Sequence, residues 1–106
     1  MEEISDAQAR LDELLAAAER AEKLVEEWST REFTGHADDG RIVATADPLG
    51  ALVGLEISPL SRRRLDATGL ADAILAAIRA AEKAASAAKD ELMNDLNPSL
   101  SRRLRM

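Results

Sequence analysis

Cysteine is absent from the 106 residues, so disulfides and thiolate metal sites are excluded and a reducing cytosol is a permitted setting. Aromatics are scarce: Trp28 and Phe33 stand alone, without a tyrosine. Stacking platforms for single-stranded bases are therefore lacking. The single histidine, His36, has only scattered carboxylates for company, and neither a metal site nor a general base is expected from so sparse a set. The five glycines never precede a Lys-Ser/Thr pair, so no phosphate-cradling loop is read from them. No run approaches the roughly 18 apolar residues of a membrane span. The opening Met-Glu-Glu-Ile-Ser-Asp is acidic where a secretory signal would be basic and then apolar. A soluble cytoplasmic protein is expected, with no catalytic residue, no metal and no cofactor.

Positive charge is also in short supply, with a net charge of −6, yet it is unevenly placed. Residues 1–61 carry 5 Lys/Arg against 14 Asp/Glu, a net of −9, whereas residues 62–106 carry 9 against 6, a net of +3. Two clusters hold most of the arginine: Arg62, Arg63 and Arg64, and then Arg102, Arg103 and Arg105.

What the chain does have in quantity is helix-forming sequence. Ile4, Ala7, Leu11, Leu14, Ala18, Ala21, Val25 and Trp28 alternate steps of three and four, an apolar seam that predicts a helix over about 4–28. Asp12, Glu13, Glu19, Glu26 and Glu27 solvate its other side. A second seam of Ala71, Ile74, Ile78, Ala81, Ala85, Ala88 and Leu92 predicts a helix over about 69–96, capped by Asp66 or Thr68 and stopped by Pro98. The carboxylates recur at helical spacing, which places them on a wet face rather than in an acid/base pair.

Between these helices four of the five glycines and two of the three prolines are gathered. Asp38-Asp39-Gly40 and Asp47-Pro48-Leu49-Gly50 are turn signals. They divide the region into strands at about 31–37, 41–47 and 51–57. In the last, Val53, Leu55 and Ile57 alternate with Gly54 and Glu56, giving one apolar face. Pro59 is expected to break the sheet ahead of an arginine-bearing loop. The fold class is α+β in the order α-β-β-β-α, one domain over 1–106, with a small antiparallel sheet between two long helices and a basic tail at 97–106.

Length then argues for association. Each helix would run about 37–40 Å at ~1.5 Å per residue, whereas a compact domain of this size is about 34 Å across, from a radius of gyration near 13 Å. A small sheet leaves edges that invite pairing. A homodimer is expected, with Leu11, Leu14, Val25, Trp28, Val53, Leu55, Ile57, Ile74 and Ile78 in its core or seam.

The central stretch, TGHADDGRIVATADPLGALVGLEISP, followed by a long amphipathic helix, resembles the YbaB/EbfC family of small bacterial nucleoid-associated proteins. Thr34-Gly35, Gly40 and Leu55-Glu56-Ile57-Ser58-Pro59 carry the resemblance, with Ser58 where the family usually has Asp. The resemblance implies a homodimer joined through its sheets, helices that project as arms, and binding of double-stranded DNA with little sequence preference at the nucleoid. Arg62, Arg63, Arg64, Arg102, Arg103 and Arg105 are the candidate phosphate contacts. Two readings of Arg62–Arg64 stay open, a phosphate clamp and ion pairing with the acidic first helix. Likewise the chain reads either as a DNA-binding dimer or as an acidic dimeric module that binds another protein.

Overall fold

The computed structural model describes residues 2–97; Arg102, Arg103 and Arg105 of the expected basic tail lie outside them. The fold is α+β: a long helix α1 (Glu2–Ser29), strands β1 (Phe33–Ala37), β2 (Ile42–Ala46) and β3 (Leu52–Ile57), a short helix α2 (Pro59–Arg64) and a long helix α3 (Ala67–Leu96). The strands form one antiparallel sheet in the order β1-β2-β3.

Local chemistry sets the boundaries. At the end of α1 the hydroxyls of Ser29 and Thr30 donate to the carbonyls of Glu26 and Glu27, at 2.8 and 3.1 Å. The Arg31 N–H then donates to the Trp28 carbonyl at 3.1 Å. This turn delays β1 to Phe33, two residues beyond the start expected from sequence. Asp38, Asp39 and Gly40 turn the first hairpin with φ of 50°, 56° and 81°, the left-handed region that Asp and Gly tolerate. In the second turn Asp47 Oδ1 accepts from the N–H groups of Leu49 and Ala51, at 3.0 and 2.9 Å.

Two sequence expectations are corrected. Ala46 pairs with Leu52 while Thr45 pairs with Gly54, so Val53 is the extra residue of a bulge and the expected Val53-Leu55-Ile57 alternation fails at its first member. A bulge next to a strand glycine re-aims one residue in this way. The arginine run is not in a loop: Ser58 caps α2, accepting from the Leu60 N–H at 3.3 Å, and Pro59 occupies its first turn. Proline's fixed φ suits that position, so the residue that ends the sheet also opens a helix.

The core lies between one sheet face and α3. Phe33, Ile42, Ala44 and Ala46 are buried against Ala77, Ala81, Ala85 and Ala88. An alanine stripe lets backbone approach backbone, and Gly35 completes the fit: a Cβ there would collide with the main chain of Ala77 and Ala81. Helix α1 packs differently. Its last turns run antiparallel to the end of α3, with Trp28 beside Ala88 and Leu92 and with Ala21 and Val25 beside Leu96. Residues 2–20 project past the end of α3, a reach of about 28 Å. The molecule therefore extends 77 × 30 × 17 Å with a radius of gyration of 21.4 Å, well above the roughly 13 Å of a compact domain.

Candidate nucleic-acid interface

The arginine helix is held in place by a carboxylate in the first hairpin turn. The Asp38 side chain is almost wholly shielded, with 7% of it exposed. Its Oδ2 accepts from the Ser61 hydroxyl at 2.6 Å, and its Oδ1 pairs with the Arg64 guanidinium. Arg41 lies nearby, with Nη1 3.8 Å from Asp38 Oδ1 and 3.5 Å from Asp39 Oδ2. The Ser61 hydrogen bond, together with the charges of Arg64 and Arg41, holds the Asp38 carboxyl below its ordinary pKa. Ser61 is itself fully buried, so one turn of α2 faces the hairpin while the next residues face solvent.

That division sorts the three arginines. Arg64 is committed to Asp38. Arg62 and Arg63 are exposed, and no ion pair among the described residues involves them. The carboxylate that takes Arg64 comes from the hairpin, not from the acidic first helix considered as its partner. Spacing in the sequence gave no sign of this, because the pair is 26 residues apart and forms only once the hairpin is folded.

Helix α3 adds cations that the sequence reading did not single out. Arg79 and Lys83 are one turn apart and exposed, on the side away from the buried Ala77 and Ala81. A charged i, i+4 pair opposite an alanine stripe was the available signal. Arg31 is occupied otherwise: its guanidinium lies 4.8 Å from the centre of the Phe33 ring.

The expected seam residues divide by position. Ile57, Ile74 and Ile78 pack against the core, partly buried, and Trp28 is half-buried against α3. Val53 and Leu55 are exposed on the edge strand β3, at 56% and 39%. Leu11 and Leu14, at 54% and 67%, lie on the projecting part of α1, and Val25 is exposed at its base. Each keeps a large part of its surface open within one chain, Val25 although it lies beside Leu96.

His36 is exposed on β1, across from Val43. Among the described residues no three His, Cys, Asp or Glu side chains are grouped to hold a metal. No helix among them is long and apolar enough to cross a membrane.

The model of the YbaB/EbfC DNA-binding family matches residues 1–100. Among solved structures, the uncharacterized protein HP0035 from Helicobacter pylori is similar in fold, with a TM-score of 0.63 at 20% identity. The match covers 83% of this chain and 94% of that one. No curated protein matches the sequence.

Proposed function

The chain belongs to the YbaB/EbfC DNA-binding family, and on that premise we propose that it acts as a homodimer on double-stranded DNA, through phosphate contacts with little sequence preference, and so affects nucleoid organisation or gene expression in the cytoplasm. The observation that carries the reading is the pair Arg62 and Arg63, exposed side by side on a helix that the Asp38 link holds against the hairpin. Guanidiniums on a fixed element lose less freedom on meeting a phosphate than guanidiniums on a loose loop. Arg79 and Lys83, and beyond the described residues Arg102, Arg103 and Arg105, are further cations of the same half of the chain.

The dimer is part of the same proposal. The uncovered β3 edge and the apolar Leu52, Val53 and Leu55 beside it are the features a second copy would cover.

A duplex titration at two salt concentrations tests the reading. Two free arginines per protomer in a dimer neutralise about four phosphates, contributing roughly −3.6 to the slope of log K against log salt. Between 50 and 200 mM salt that contribution alone weakens binding about 150-fold. The variant Arg62→Ala/Arg63→Ala should lose that share of the slope on duplexes of unrelated sequence alike.

A second reading rests on the acidic arm of α1 with its exposed Leu11, Leu14 and Leu15. A surface of that kind fits a dimeric protein-interaction module. Absence of duplex binding at 50 mM salt would favour it over the first.

A further inference from the structure

The apolar seam of α1 is open along the projecting arm within residues 2–97, whereas further along the helix it is partly covered by α3. From Ala21 to Trp28 the face of α1 meets α3, with Leu24 beside Leu92 and Val25 beside Leu96. Past Leu96 the partner stops, and Ile4, Leu11, Leu14 and Leu15 stand exposed. An open crevice lined by Ala21, Glu22, Val25, Glu26 and Leu96 marks the place where α3 ends.

The row on α3 that faces α1 continues in the sequence after the helix stops. Ala88, Leu92 and Leu96 step by four residues, and the next two steps are Leu100 and Leu104. Pro98 breaks the α3 ladder but is compatible with the first turn of a following helix. Helix α3 ends with Leu96 beside Ala21, and the exposed Leu14 and Leu15 lie about 10 Å further along α1, within the span of the nine residues that follow Asn97.

Charge points the same way. Residues 2–20 carry six carboxylates against two arginines, a net of −4, while residues 98–106 carry Arg102, Arg103 and Arg105 and no Asp or Glu. A second α1 arm laid on the first would bring −4 against −4. A segment already tethered beside the crevice also acts at high effective concentration, on the order of millimolar for a short linker.

We propose that residues 98–106 dock on the projecting arm of α1 in their own chain, setting Leu100 and Leu104 on its exposed apolar face and extending the α1–α3 seam. At helical spacing Leu100 and Leu104 share one face and Arg102 and Arg105 fall on the other. Docking thus gives an acidic arm a basic outer rim. The contact needs no DNA, and its test is independent of DNA binding.

The absence of cysteine supplies a direct experiment on the full chain. Leu14→Cys with Leu104→Cys places the only two thiols of the molecule on the two surfaces, and Asp12→Cys with Leu104→Cys places one on the wet side of the arm. Under mild oxidation the 14/104 pair should close within one chain at least tenfold faster than the 12/104 pair, read as a monomer-mass species lacking free thiols. Adding Leu100→Asp should slow closure of the 14/104 pair at least fivefold. In the parent protein, residues 4–18 should exchange amide hydrogen more slowly than in Leu100→Asp, a readout that involves no cysteine. Equal closure rates for the two pairs, crosslinks that form only between chains, or identical exchange in parent and Leu100→Asp would each overturn the docking.

Discussion

Gly35 illustrates how one missing side chain fixes the spacing between β1 and α3. The main chain of Ala77 and Ala81 occupies the space a Cβ would need, and backbone atoms, unlike a flexible side chain, cannot swing aside. Gly35→Ala should destabilise the fold by about 3 kcal/mol or more, the upper range of core overpacking, seen as a lower midpoint in thermal or urea unfolding. Asp38 is decisive for a different reason. Its carboxyl is held below the ordinary pKa by Ser61, Arg64 and Arg41, so the folded chain keeps it charged at pH values where the unfolded chain protonates it. The resulting stabilisation is complete above about pH 5 and is lost as pH falls through the unfolded-state value and then the lowered folded-state value. Asp38→Asn should flatten this part of the acid-unfolding curve. The sequence made the turn legible through Asp38-Asp39-Gly40, but not the role of its first carboxylate, since Ser61 and Arg64 reach it only across folded strands.

At the scale of elements, the two long helices and three strands were legible because apolar periodicity and turn residues are local signals. Helix α2 was not, because six residues with three arginines show no apolar period, and Pro59 reads equally as a sheet breaker or a helix opener. The bulge at Val53 was hidden for a related reason: register depends on the neighbouring strand. The exposed or committed state of each arginine also belongs to this scale. Arg64→Ala should lower the thermal midpoint by loosening α2 from the hairpin, whereas Arg62→Ala/Arg63→Ala should leave the midpoint unchanged and weaken duplex binding. A midpoint equally insensitive to all three substitutions would show that the Asp38 link does not hold the helix.

Across the whole molecule, the core is built of small side chains. Ile42 is the only large apolar residue among those described that is fully buried, and alanine makes up most of the rest. Burial per residue is correspondingly low, while Leu52, Val53, Leu55 and Leu60 remain outside at 39–56% exposure. A second copy that covers them would supply burial the single chain lacks. Light scattering after size exclusion at micromolar concentration should give twice the 11.4 kDa chain mass, and the thermal midpoint should rise with protein concentration, as mass action requires when folding and association are linked. A mass near that of one chain, with a midpoint independent of concentration, would remove the dimer.

The projecting part of α1 also divides the molecule into regions that open at different free energies. Backbone amides of β2, held between two strands and covered by α3, open only when the sheet comes apart. Those of residues 4–18 are held by a single helix with no neighbour among residues 2–97, and a helix without tertiary support is marginal at such length. Hydrogen exchange should thus grade along one continuous helix, slow near Trp28 and fast toward Ile4. Whatever comes to lie on the arm, be it DNA, a partner or the chain itself, would announce its presence as a slowing confined to that stretch, so the arm serves as a built-in gauge of its own occupancy.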